Sequence, residues 1–518
     1  MDPGIVAAAY AVETAVEGAA VGALAIAQST VPLKARFYRL PSPSPALTRS
    51  SHTLNVIKGR GYIFGGDGEG VGKGGDNAMH VLTLPTDLVL KDTDYQKIPA
   101  VARPSKAAHN AESEAEKESA GKAQSGDEEE EDDGNNESVP AARAGHTASV
   151  IGNRIYIFGG RPAGSSDADA PPNAPLEENG KVYVFEATEK TWRVLVPNEM
   201  GCSNGVPQPR NYASSSSTIH PLPIRTEEGT GRGKDELMTD EAKLRLVARR
   251  QGEDLTATDD QQSEGYGTLF LHGGYDAEGK LLRDAWAFDV ASRIWSRWAD
   301  VPNSDGDDGD GNICCIESKL WRCGDDFGKV AHLDIVRDEF DDISGKGELG
   351  VSPKTGEWTV HIFGVKPGQE KLEKQVEEKM GGKPTNTASL FPARRKRSGF
   401  LPVTTGQGRE YLLLFMGEKG PQEVLDDIWS FQIPSEKKSA AAFKDTIRTM
   451  IGKGTGVEQW AKSEIVESDK EEGMLDYPRG LSRFGSSPAG DAVGDVMIWG
   501  GIGPEGAVSA DGWILTLE

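Results

Sequence analysis

The sequence predicts an all-β protein built from six like units, and three observations carry that expectation. A β-rich run ending in glycine recurs along the chain. It reads Tyr62-Ile-Phe-Gly65-Gly66, Tyr156-Ile-Phe-Gly159-Gly160, Leu269-Phe-Leu-His272-Gly273-Gly274 and Met497-Ile-Trp-Gly500-Gly501, with eroded copies at Leu320-Trp-Arg-Cys-Gly324 and Leu413-Leu-Phe-Met-Gly417. Most copies follow an arginine-led strand, opening at Arg49, Arg143, Arg210, Arg397 and Arg483. Each is followed by a third strand, and several by a fourth centred on Trp192, Trp295, Trp358 or Trp460. A repeated β unit cannot bury its faces alone, so the units must stack.

Each strand has a local reason. The third strands, such as Lys181-Val-Tyr-Val-Phe185 and Asp284-Ala-Trp286-Ala-Phe288, alternate as half-buried strands do. The glycine pair closes strand two, where a Cβ would obstruct a tight turn or a close backbone approach. The fourth unit is the least faithful, with Leu320-Trp-Arg-Cys-Gly324-Asp and no arginine-led strand ahead of it.

This pattern resembles kelch repeats, and the chain resembles a six-bladed kelch β-propeller over nearly all of its ordered sequence. The last repeat stops after its third strand at Glu518, while the strand-like segment Leu33-Lys-Ala-Arg-Phe37-Tyr-Arg-Leu40 near the start belongs to no repeat. The N-terminal strand is therefore expected to supply the outer strand of the last blade and close the ring. The propeller spans 31–518, preceded by a short helix within 1–30.

Four inserts interrupt the blades, at about 100–141, 222–264, 302–312 and 366–392. Lengthening a flexible loop costs only about 0.6 kcal/mol per doubling, so a closed ring tolerates them. In blade five, Phe443, Ile447, Met450 and Ile451 form one stripe and predict a helical insert packed on that blade, or a helix for a partner.

The chain has 518 residues and a net charge of −24, which disfavours nucleic acid as a partner. The run Asp127-Glu-Glu-Glu-Glu-Asp-Asp133 reads as a disordered acidic stretch or a docking tail for a basic partner. Only 37% of residues are hydrophobic, yet ten tryptophans can anchor blades. A buried aromatic is worth about 4–6 kcal/mol in removed area. Four cysteines, two of them adjacent, form no disulfide framework or zinc-finger spacing and point to the cytoplasm. Residues 5–27 are long enough to span a membrane, but Glu13 and Glu17 interrupt them and no Lys or Arg precedes Lys34. The expectation is a helix packed on the propeller, with membrane association through 5–27 as the alternative.

Arg49, Arg143, Arg210, Arg397 and Arg483 are the candidate binding residues, placed by the propeller resemblance near one end of the central channel. In kelch adaptors, arginines at such positions bind acidic partner peptides. A carboxylate- or sulfate-bearing small molecule would suit the same set. The competing expectation is that they pair with acidic residues of neighbouring blades and hold the ring. His52 and His146 occupy matching places in two repeats, which suggests a structural role.

No catalytic residue and no metal cluster is read from the sequence, and no cofactor is expected. The galactose oxidase family is secreted and seven-bladed, and its ligand motifs are not matched here. Plant nitrile-specifier and thiocyanate-forming proteins use ferrous iron through Glu-x3-Asp-x3-His, a spacing this chain lacks. The expected function is a non-catalytic interaction or scaffold protein that binds a protein partner through channel-mouth loops. The chain also resembles stand-alone kelch proteins of filamentous fungi, some encoded among secondary-metabolite genes. That resemblance implies the alternative of an accessory protein in such a pathway, as a small-molecule binder or an iron-dependent specifier-like enzyme.

Overall fold

A computed structural model describes residues 32–517, less 42, 44–45, 69–74, 85–94, 104–137, 165–173, 222–264, 302–310, 325–327, 338–349, 363–390, 406–407, 421–422, 435–443, 449–454, 467–476 and 490–493. The N-terminal helix expected within 1–30, the acidic run and most of the four inserts lie outside the described residues.

Six antiparallel sheets form a six-bladed β-propeller. From the axis outward, blade one consists of Thr53–Ile57, Arg60–Phe64, Met79–Thr83 and Tyr95–Ile98. Blade two is Thr147–Ile151, Arg154–Phe158, Val182–Glu186 and Thr191–Leu195, and blade three is Ser214–Thr218, Thr268–His272, Ala285–Asp289 and Ile294–Trp298. Blade four is Gly311–Ile316, Lys319–Gly324 and Lys329–Arg337, with the outer place divided between Val351–Pro353 and Thr359–Ile362. Blade five is Gly399–Thr404, Glu410–Phe415, Ile428–Gln432 and Trp460–Lys462.

Blade six is closed as the sequence predicts. Gly485–Pro488, Val496–Trp499 and Gly512–Leu517 are completed by Lys34–Leu40, which pairs antiparallel from Ala35↔Leu517 to Leu40↔Gly512. Ala35 and Phe37 enter the apolar core between blades five and six, while Leu40 enters the one between six and one. The closing strand therefore staples two seams. Glu464–Ile465, beyond blade five, adds a short parallel pairing to its outer edge.

The apolar core is divided into six clusters, one in each seam between adjacent blades. Between blades one and two, Phe64 meets Trp192 at 5.0 Å, and Trp192 meets Phe185 at 5.1 Å between ring centroids. Trp295 repeats that role between blades two and three, 5.3 Å from Phe158. Nearer the axis, polar side chains take over. The Ser215 hydroxyl bonds to Thr147 and Ser149 of blade two, and Ser214 and Ser216 accept from the Ile313 and Cys315 amides of blade four. A serine-rich strand with no apolar face is held in the ring by these hydroxyls.

The glycine pair is the joint between blades. Gly66 has φ of 90° and its N–H donates to the Arg143 carbonyl of the next blade at 2.8 Å. Gly160, Gly417 and Gly501 donate likewise to Arg210, Leu481 and Arg49. A Cβ on Gly65 would lie 2.3 Å from the same Arg143 oxygen, closer than any real contact. In blade three His272 replaces the aromatic, and in blade four Arg322 stands in the eroded strand. Arg322 Nε donates to His272 Nε2 at 3.3 Å, while His272 Nδ1 donates to the Asp284 carbonyl at 3.1 Å. Two departures from the repeat thus meet across one seam. Burial, then the Arg322 charge, lowers the His272 pKa to about 3, so the ring is neutral and can accept from Arg322.

The helical insert of blade five is described at 444–448. Asp445 fastens it, accepting from Arg409 at 2.8 Å and from Gln432 at 3.0 Å. Of the expected apolar stripe, Ile447 is half-buried and Phe443, Met450 and Ile451 lie outside the described residues.

Candidate functional site

The structure divides the five candidate arginines into two groups. Arg143 and Arg210 are fully buried. Arg143 forks onto Glu178 at 2.8 and 2.7 Å, and Arg210 onto Asp284 at 2.6 and 2.8 Å. Each also donates to the carbonyl of its own blade's first glycine and to the carbonyl two residues back. Their acids stand before the third strand of the same blade, rather than in a neighbour. Arg49 makes a looser version, 3.4 Å from Asp76 and from His80. These arginines tie the entry of the inner strand to the third strand.

Arg397 and Arg483 differ in place. The blade-five counterpart of Arg143 and Arg210 is Arg395, which grips Asp427 at 2.5 and 3.1 Å and the Ala393 and Met416 carbonyls. Four basic residues in a row, Arg394 to Arg397, obscure that register in the sequence. In blade six Leu481 holds the arginine's place, and the matching Asp511 is bonded by Arg39 of the closing strand at 2.5 Å. The signal that locates Arg395 is its acid. Asp284-x-Trp286 and Asp427-x-Trp429 share one pattern, and each Trp Nε1 donates to its Asp.

Arg397 and Arg483 therefore stand two residues further along, level with Ser51, Gly145 and Tyr212. All five have left-handed φ, between 53° and 64°. Such a conformation costs a non-glycine residue about 1–3 kcal/mol. Backbone bonds link these turns around the axis: Ser51 N–H to Arg483 O at 2.7 Å, Gly145 N–H to Ser51 O at 2.8 Å, and Tyr212 N–H to Gly145 O at 2.6 Å. The five residues share a cavity of about 190 Å³ at this end of the channel.

Tyr212 interacts with the charged side chains of Arg161, Arg397 and Arg483 around this cavity. Ser51 Oγ lies 3.2 Å from the Tyr212 hydroxyl, and the Arg397 guanidinium lies over the ring at 5.1 Å. Arg161, directly after the Gly159-Gly160 pair, holds Asp67 at 2.5 Å. Arg397 is bonded to Glu418, and Arg483 Nε lies 3.9 Å from the other oxygen of that carboxylate. Burial pushes the Tyr212 phenol up, but the Ser51 bond and the fields of Arg161 and Arg483 outweigh it, and the pKa is lowered. Three guanidinium groups face two carboxylates here, and Lys396 in the cavity wall adds to the positive excess.

His52 and His146 also line this cavity. Burial, then Arg49, lowers His52 to about 3; burial, then Arg143, holds His146 well below its ordinary value. Both rings are neutral at physiological pH. His146 Nε2 bonds Thr53 of blade one at 2.9 Å, across the seam. Of the residues around this cavity, the sequence offered Arg397 and Arg483 as candidates and gave His52 and His146 a structural role; it did not single out Tyr212, Ser51, Arg161 or Glu418.

A wider cavity of about 570 Å³ opens at the far end of the inner strands of blades three to five. Its ionic lining is mixed, with Glu317, Glu410, Arg337 and His220. Volume favours that end, but convergent charge favours the arginine mouth, and charge decides recognition of an ion. Among the described residues no group of three or more His, Cys, Asp or Glu side chains is placed to hold a metal ion, and no helix is long and apolar enough to cross a membrane.

No known protein family and no curated protein matches the chain. Among solved structures, the structure of YjhT is similar, with a TM-score of 0.42 and 12% identity over 92% of this chain and 99% of that one.

Proposed function

We propose that the chain is a non-catalytic, kelch-type interaction protein that takes an acidic segment of a protein partner at the arginine mouth of its channel. The observation that carries this reading is the convergence of Arg397 and Arg483 on the single carboxylate of Glu418, beside Tyr212. Their side chains remain 28% and 31% exposed, so a second carboxylate can reach them. On a chain of net charge −24, a locally cationic concavity focuses the field on an anion. Arg143 and Arg210 are outside this reading, since each is buried against its own acid. The four cysteines are free thiols, in keeping with action in the cytoplasm.

The test is capture of a partner by the whole protein and by an Arg397→Glu/Arg483→Glu variant. The expected result is one consistent partner with an acidic segment, lost in the variant while the protein still melts cooperatively as a folded ring. Equal capture by both proteins overturns the reading. The small volume of the cavity, about 190 Å³, favours a second reading, a binder of a small carboxylate within a biosynthetic pathway. Saturable binding of such a molecule that competes with no protein would select it.

A further inference from the structure

We propose that His332 and His361 form a binding site for one divalent transition-metal ion of the copper or zinc class, on the outer rim between blades four and five. His332 lies on the third strand of blade four and His361 on its outer strand. The register Val330↔His361 and His332↔Thr359 makes the two diagonal neighbours on one face. His361 Nε2 and His332 Nδ1 share a hydrogen bond at 3.0 Å, and a bound ion would take the place of its proton, which moves to a remote ring nitrogen or to solvent. Adjacent imidazole ligands on an ion with bonds of about 2.0–2.1 Å stand about 2.9–3.4 Å apart, so the two nitrogens already have ligand spacing.

A carboxylate stands near each remote nitrogen, close enough to turn toward it when an ion binds. His332 Nε2 faces Asp334 at 3.7 Å, and His361 Nδ1 faces Glu458 of blade five at 4.0 Å. Carboxylates behind ligating histidines fix the tautomer and strengthen the donor. Trp321 orients both rings, with centroids 4.8 Å from His332 and 6.1 Å from His361. Lys319 balances part of the negative charge, 3.2 Å from Asp334. His332 is nearly buried, whereas the His361 side chain is 22% exposed and gives the ion an approach from solvent. Burial, then His361, lowers the His332 pKa, which keeps that ring in its neutral, ligating form. Two imidazoles suit copper, nickel or zinc, with water in the remaining positions.

The test uses full-length protein titrated with Cu(II) alone and followed by electron paramagnetic resonance and calorimetry. The wild type is expected to take up one equivalent with the hyperfine pattern of two nitrogen ligands. His361→Ala, on the exposed outer strand, should melt normally, bind at least tenfold more weakly and lose that pattern. Glu458→Gln should bind more weakly, as expected for loss of a negative charge beside a ligand. Equal binding by wild type and His361→Ala, an oxygen-only spectrum such as the acidic run at 127–133 would give, or no uptake at all would each overturn the proposal.

Discussion

The amide of Gly66 donates to the carbonyl of Arg143 across the seam between blades one and two, at 2.8 Å. This bond links the most repetitive feature of the chain to a fully buried cation. The glycine places its N–H against the next blade because nothing projects from its Cα. The arginine presents its carbonyl because its guanidinium is anchored on Glu178 below.

Gly159→Ala should destabilise the protein by about 2–4 kcal/mol, from a left-handed backbone plus a clash. Its φ is 66° and the added Cβ would lie 2.6 Å from the Arg210 carbonyl. Gly279→Ala, also left-handed but with open space around it, supplies the conformational part alone. Urea melts of the two variants separate the terms, and equal losses would show that the seam yields.

Arg210→Leu should cost about 3–5 kcal/mol, since it leaves Asp284 desolvated and unpaired. Arg210→Leu/Asp284→Leu should recover much of that loss. Arg397→Ala and Arg483→Ala, at partly exposed positions, should each cost about 1 kcal/mol or less. Thermal melts of the four variants check the division of the arginines into ring-holding and mouth-lining groups. A large loss in the last two would erase it.

Deleting residues 31–41 should abolish the cooperative melt or cause aggregation, because it bares the edge of Gly512–Leu517 and opens two apolar seams. Differential scanning calorimetry of the truncated chain decides the matter; a melt like that of the full chain would show that blade six is stable unclosed.

Stability should fall in two stages on acidification. The folded pKa values of His52 and His272, about 3, lie below the ordinary 6.5. Their unfolded forms bind protons first, so this contribution is complete above pH 6.5 and is lost as pH falls toward 3. Asp284 and Asp427 are also lowered: burial acts upward, but the bonds from Arg210 and Arg395 prevail. Their contribution is present above the ordinary carboxylate range and disappears below about pH 4. Urea midpoints measured from pH 7 to 3 should show both stages, and His272→Gln should flatten the first.

Six units, the closing strand and the seam role of tryptophan were legible in the sequence. Each depends on a pattern local to one repeat, or on a missing strand at one end matched by an unassigned strand at the other. The register of Arg397 and Arg483 was not legible. In blade five several basic residues compete for one place, and in blade six Leu481 leaves that place empty of charge. Only the pairing of Arg395 with Asp427, 32 residues away, identifies the counterpart.

By itself, then, the sequence determined a closed six-part β ring, since repetition and alternation are properties of neighbours along the chain. Tertiary structure decided which arginines are buried against an acid of their own blade and which stay partly exposed at the channel mouth. It also brought Ser51, Tyr212, Arg161 and Glu418 to one mouth, and His332 and His361 to one rim. The physical reason is that a guanidinium or imidazole takes its role from the charge beside it, and here those partners come from other strands and blades.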